Sequence, residues 1–92
     1  MIKSFRHKGL AAYFTTGDRS GLPQPMVGRI GSRLAVLHAA TDLRQIGLPG
    51  YRLHRLKGDQ QGRWSISVTG AWRLIFCWES GDVLELDLEQ YH

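Results

Sequence analysis

The sequence holds a single cysteine, Cys77, which excludes a disulfide within the chain and fits a reducing compartment. No apolar run approaches the ~18 residues of a membrane span. The opening Met1-Ile-Lys-Ser-Phe-Arg6 lacks the apolar stretch of a secretory signal, so a cytoplasmic protein without membrane contact is expected. The four histidines, His7, His38, His54 and His92, show no metal-ligand spacing, and one cysteine cannot build a zinc site; neither a metal nor a cofactor is expected. No glycine-rich phosphate loop follows a strand pattern, and no serine sits in a nucleophile elbow, which argues against triad acyl transfer. Repeats, low-complexity segments and linkers are absent. Ninety-two residues then suit one domain, 1–92, burying roughly 60–65% of its unfolded surface.

Acidic residues are scarce in the first two thirds. Across residues 3–63, Asp18, Asp42 and Asp59 stand against eleven Lys and Arg; from Trp64 onward one base, Arg73, meets five acids. The net charge of +4 permits an anionic partner, nucleic acid or an acidic protein, and equally an ordinary solvated surface.

What is abundant is concentrated. Residues 64–88 contain all three tryptophans and alternate with period two: Trp64, Ile66 and Val68 against Ser65 and Ser67; Trp72, Leu74, Phe76 and Trp78 against Arg73, Ile75 and Cys77; Leu84, Leu86 and Leu88 against Glu85 and Asp87. Successive strand side chains point to opposite faces, so this is a strand signature. An antiparallel ladder sets even-numbered residues against even-numbered ones only across a loop of odd length. The spacing therefore predicts three-residue turns at 69–71 and 80–82, with Val68 opposite Trp72, Ile66 opposite Leu74 and Trp64 opposite Phe76. A three-stranded meander results, with one apolar face. Its other face, carrying Arg63, Ser65, Ser67, Arg73, Glu85 and Asp87, is free to meet water or a ligand.

Ahead of the meander, Ile2 and Phe5 suggest an edge strand. Leu10, Tyr13 and Phe14 lie at helical spacing and end at Gly17. Val27, Ile30, Leu34 and Leu37 form one stripe of a second helix, begun near Pro25 and running toward Ile46, with a cap and fresh turn at Thr41-Asp42-Leu43-Arg44. Gly28 and Gly31 each weaken its start by about 1 kcal/mol relative to Ala. Residues 52–57 read as a short extended segment entering the meander. The fold class is α+β: a small antiparallel sheet packed against two N-terminal helices.

His54, Arg55, Lys57 and Arg63 form a basic cluster, Arg73 lies on the polar sheet face, and the chain closes on Tyr91-His92. Extending the ladder puts residue 89 opposite Arg73 and residues 90 and 91 near Trp72 and Ala71, so cation, phenol and imidazole share one neighbourhood. RNA cleavage uses those types: a group to take the 2′-hydroxyl proton, one to protonate the leaving 5′-oxygen, and cations to steady the phosphate, each positioned acid or base contributing on the order of 10²–10⁴ in rate. Plainer readings stand beside this one. A C-terminal histidine is commonly a frayed tail, Tyr91 a packing residue, Lys57 a solvated loop lysine, His54 a cap on the core, and Arg73 a cross-strand partner of Glu89 or Asp87.

Leu53-His54-Arg55-Leu56-Lys57-Gly58-Asp59, then Gly62-Arg63-Trp64-Ser65-Ile66-Ser67-Val68, then Trp72-Arg73 and the terminal Tyr91-His92, resemble the HigB branch of the RelE/ParE toxin superfamily. So do Met1-Ile2-Lys3-Ser4-Phe5 and Ala40-Thr41-Asp42-Leu43, and the likeness covers nearly the whole chain. The resemblance implies a curved antiparallel sheet with two N-terminal helices, a helix-turn-helix antitoxin partner (HigA-like), and operator DNA binding by the complex. It implies cleavage of mRNA in the ribosomal A site by 2′-hydroxyl attack without a metal. Carried over by position, it makes His54, Lys57, Arg73, Tyr91 and His92 catalytic; the basic cluster itself offers Arg55 and Arg63 to RNA, and Gln90 can hold an RNA hydroxyl or phosphate. Some similar proteins have Asn where this chain has Ala71, and Asp where it has Gln90; neither replacement keeps the same side-chain chemistry. The scaffold also hosts non-enzymatic toxins of the ParE type that bind DNA gyrase, and a module that binds RNA without turnover is a third reading.

Overall fold

The computed structural model describes residues 1–90. Four strands form one antiparallel sheet in the order β1 (His54–Arg55), β2 (Trp64–Ser67), β3 (Trp72–Glu79), β4 (Asp82–Gln90), preceded by two helices, α1 (Lys8–Thr16) and α2 (Val27–Ala39). The α+β architecture and the two N-terminal helices are as expected, and the extended 52–57 segment adds a fourth strand to the meander.

The first hairpin has the expected register, with Trp64 opposite Phe76 and Ile66 opposite Leu74. The second differs. Its loop is two residues long, with Ser80 at φ 50° and Gly81 at φ 84°, so Glu79 faces Asp82 and Trp78 faces Val83. Two positive φ values are what a tight hairpin of the right twist requires. The slip would send Leu86 and Leu88 to the wrong face, but a bulge at Glu85 (φ 52°) absorbs one residue and returns Leu88 to Leu74 and Glu89 to Arg73. Val83, not Leu84, therefore fills the core ahead of the bulge. The bulge is held from both sides: Glu85 N–H donates to Ser4 Oγ at 2.8 Å, and the Arg63 guanidinium donates to the Glu85 carbonyl at 2.8 Å. The N-terminal segment lies parallel to β4, with Ile2 paired to Val83 and Phe5 to Leu86, so it guards that sheet edge.

The helical stripe read from the sequence is the buried one: Val27, Ile30, Leu34 and Leu37 pack with Leu10, Ile66, Val68, Leu74, Phe76, Leu86 and Leu88 in one core. The helix is shorter than 27–46. It ends at Ala39; Ala40 is extended (ψ 138°), and Asp42 caps a separate turn at Leu43–Gln45 by accepting from the Arg44 N–H at 2.8 Å. A capping aspartate offers the backbone an alternative to continued helix, which is why the stripe stops before Ile46. Gly31 has a packing reason: a Cβ there would stand 2.7 Å from the Tyr13 hydroxyl, so it leaves room for that side chain against α2. Gly28 has no such neighbour.

The opposite face of the sheet is less open than expected. Ser65 and Ile75 are fully buried on it, Arg63 is 8% exposed, and Leu56 is buried from the segment between β1 and β2. Leu56 and Ile75 stand outside the main core. The 56–63 segment thus covers part of this face and leaves a narrower opening around His54 and Arg73.

Candidate active site

β1 is only two residues long, and both are exposed. His54 pairs with Ser65 and Arg55 with Trp64, so the strand hangs on the edge of β2 and turns its basic residues outward. Arg52, just before it, has φ 51°, a left-handed conformation that bends the chain into the strand. That bend places the Arg52 carbonyl 2.9 Å from His54 Nδ1. A carbonyl only accepts, so Nδ1 carries the hydrogen and, in the neutral ring, Nε2 keeps the lone pair.

Two clefts meet at this point. One, of about 230 Å³, runs along the sheet past His54, Ser65, Ser67, Thr69, Trp72 and Arg73, with Arg52 on its rim. The other, of about 360 Å³, lies under the 56–63 segment and is lined by His54, Arg55, Leu56, Lys57, Gln60 and Arg73. His54 and Arg73 belong to both. The three residues expected to carry chemistry and described by the structure, His54, Lys57 and Arg73, therefore border one continuous opening. Tyr91 and His92 lie outside the described residues. Gln90 stands opposite Trp72, one register step from the pair Arg73 and Glu89, and is exposed.

Arg55 borders the second cleft, while its guanidinium lies over the ring of its cross-strand partner Trp64 at 5.7 Å. Arg63 is not brought to the opening. It is buried, it serves the Glu85 carbonyl, and its Nε finds no hydrogen-bond partner among the described residues. Lys57 is exposed and begins the turn Gly58–Gln60. Gln60 reaches across that opening, donating from Nε2 to Glu89 Oε2 at 2.9 Å. Nearby on the same sheet face, Cys77 donates to Glu85 Oε2 at 3.4 Å; burial and this carboxylate push its thiol above the ordinary range, so it is a poor nucleophile.

Two contributors, Arg52 and Gln60, escaped the reading of the sequence, and two more, Ser65 and Glu89, were read only as polar-face residues. Ser65 and Glu89 sit on the face that alternation marks as polar, so parity places them there. Arg52 and Gln60 carry no such signal, because neither lies within a periodic segment.

A profile of the family described as RelE-like toxin of type II toxin-antitoxin system HigB matches residues 3–92. The chain is 46% identical to Endoribonuclease HigB of Proteus vulgaris over 92 residues, covering all of both chains. It is 30% identical to Toxin HigB-1 of Vibrio cholerae serotype O1, covering 99% of this chain and 98% of that one. Among solved structures, it is similar to a mutant of YafQ from E. coli (TM-score 0.64, 15% identity, 98% of this chain and 91% of that one). It is also similar to a chain of the YoeB-YefM complex from Staphylococcus aureus (TM-score 0.57, 16% identity, 100% and 95%). At such identities the structural likeness speaks for the fold; the full-length sequence relations go further. The chain belongs to the HigB-like family of RelE-like toxins of type II toxin-antitoxin systems.

Proposed function

We propose that this toxin is an endoribonuclease that cleaves mRNA in the ribosomal A site without a metal. The observation that carries the reading is the meeting of His54 and Arg73 at the edge shared by two basic clefts. The full-length relation to a chain named endoribonuclease supports cleavage over gyrase binding.

In the proposed reaction the 2′-oxygen attacks the adjacent phosphorus, the bond to the 5′-oxygen breaks, and a 2′,3′-cyclic phosphate and a 5′-hydroxyl form. The 2′-proton passes to His54 Nε2, whose lone pair is left available by the Nδ1–H held at the Arg52 carbonyl, or to Tyr91. His92 returns a proton to the leaving 5′-oxygen. Lys57 and Arg73 hold the non-bridging oxygens, whose charge grows in the transition state. Arg55, ordered by Trp64, and Gln90 hold the flanking strand; Arg63 adds positive potential from its buried position on the same face. No carboxylate is needed at position 90, and Ala71 contributes only its backbone.

A type II toxin has an antitoxin. We infer a helix-turn-helix, HigA-like partner that neutralises the toxin in the cytoplasm and brings the complex to operator DNA. The experiment is to express the toxin under tight control and map new 5′ ends in cellular mRNA, with translation running and with translation blocked. In-frame 5′-hydroxyl ends that vanish when translation stops are the expected result. Growth arrest with intact mRNA and double-strand DNA breaks would replace this reading with gyrase binding.

A further inference from the structure

α2 has no acidic residue, and its two arginines do not point into open solvent alone. Arg33 Nε donates to the Ser67 carbonyl at 2.6 Å, and its guanidinium lies 4.5 Å over the Tyr51 ring. Arg29 donates to the Val68 carbonyl at 3.3 Å. Both therefore stand beside the end of β2, where Ser67 and Thr69 line the first cleft and Arg52, the chain neighbour of Tyr51, forms its rim. None of the three guanidinium groups enters an ion pair among the described residues. Carbonyl contacts leave each guanidinium its full charge and spare N–H groups. Stacking on Tyr51 also limits the side-chain entropy that Arg33 loses on binding.

We propose that Arg29, Arg33 and Arg52 form a second phosphate-binding rim that grips the backbone of single-stranded RNA beyond the scissile phosphate, at the cleft end remote from Lys57. The proposal rests on the nuclease reading for its choice of RNA as occupant. A strand entering at Lys57 and crossing Arg73 follows the first cleft along β2 and leaves over these three cations. The rim would set strand direction and affinity and would take no part in bond breaking.

The test uses a fully 2′-O-methylated single-stranded RNA, which lacks the attacking hydroxyl, and measures its binding to the full chain by anisotropy across a salt series. Each phosphate contact on a single strand contributes about −0.7 to the slope of log K against log salt. Arg52→Ala, whose side chain makes no hydrogen bond among the described residues, is expected to reduce the slope by about 0.7, and the triple variant with Arg29→Gln and Arg33→Gln by about 2. Lys3→Ala, on the far edge of the sheet, is expected to leave it unchanged. If Arg52→Ala matches Lys3→Ala, or if the wild-type chain does not hold this RNA, the rim is overturned. Because nothing is cleaved, the outcome is separable from the parent reading. Slope losses with no new 5′ ends in cells would keep the rim and remove the nuclease; new ends with unaltered slopes would do the reverse.

Discussion

Gln60 is tied to Glu89 across the open face of the sheet, Nε2 to Oε2 at 2.9 Å. The contact joins the turn that begins at Lys57 to the strand position facing Arg73. It is thus a strap over the second cleft, and it sets how far Lys57 stands from His54 and Arg73. Gln60→Ala is expected to cost only about 1 kcal/mol in a urea melt, as for a single hydrogen bond, yet to lower RNA cleavage roughly tenfold, because small misplacements of charged groups are costly in the transition state. Gln60→Glu, which sets two carboxylates together, is expected to be worse than Ala in both assays. Full activity in the alanine variant would show that the strap is idle.

The His54 side chain is exposed and, among the described residues, makes one hydrogen bond, to a backbone carbonyl. His54→Ala is therefore expected to leave the melting temperature nearly unchanged and to lower the cleavage rate by about 10²–10⁴, as for loss of a positioned base. Arg73→Ala is expected to lose about 10²–10³, the usual loss of one charge-stabilising donor, with Arg73→Lys recovering part of it. Single-turnover cleavage of an mRNA bound to ribosomes would measure both. If His54→Ala cleaves at the wild-type rate, the proton goes to another group, and Tyr91 becomes the base to test.

The tight turn and the bulge of the second hairpin form a compensating pair, so the turn should be sensitive to substitution. Gly81 has φ 84°, and a Cβ there would stand 3.3 Å from the Thr41 carbonyl. Gly81→Ala is expected to destabilise by about 1–2 kcal/mol, the usual cost of a non-glycine residue in strained backbone, which lowers the melting temperature by several degrees in a chain of this size. An unchanged melt would mean that the hairpin can adopt the longer loop.

That pair also explains what the sequence did and did not disclose. Period-two alternation marked the strands, and parity placed Glu89 opposite Arg73 correctly. It did so with a wrong turn, because a two-residue loop plus one bulged residue has the same parity beyond the bulge as a three-residue loop. Only the stretch between them, Val83 and Leu84, betrays the difference. The helical stripe disclosed the core face of α2, while its end depended on the local cap at Asp42. For the site, residue type and parity drew attention to His54, Lys57 and Arg73. Arg52 and Gln60 act through a positive φ and a cross-face hydrogen bond, neither of which has a periodic trace in a sequence. Arg63 misled because a basic residue beside a basic cluster reads as solvent-facing, whereas its partner is a carbonyl that only the bulge exposes.

Asp42 is expected to give the chain a share of its acid sensitivity. The Arg44 side chain and backbone N–H both donate to its carboxylate and hold it below the ordinary 3.8, and Ser20 does the same for Asp18. A carboxylate with a lowered folded value contributes stability above the unfolded value and loses it as pH falls through the folded one. The melting temperature of wild type is thus expected to decline as pH falls below about 4. Asp18→Asn with Asp42→Asn is expected to start lower at neutral pH and decline less. Parallel curves for the two proteins would place the acid sensitivity elsewhere.

Cys77 offers a check on the bulge by chemistry rather than by melting. Its thiol is pushed above the ordinary value, first by burial and then by its hydrogen bond to the Glu85 carboxylate, while Arg63 pulls the other way. Alkylation needs the thiolate, so iodoacetamide should label the folded chain slowly at pH 8 and the unfolded chain fast. Glu85→Gln removes the charge that opposes thiolate formation and leaves the backbone bonds of residue 85 to Ser4 and Arg63 in place. It is expected to speed labelling without a change in melting temperature. Arg63→Met removes both the opposing cation and the prop under the bulge; it is expected to lower stability while unbound Glu85 backbone lets β4 loosen. Faster labelling in Arg63→Met than in Glu85→Gln would mean that access, set by the bulge, governs the thiol. The reverse order would mean that the local charges do.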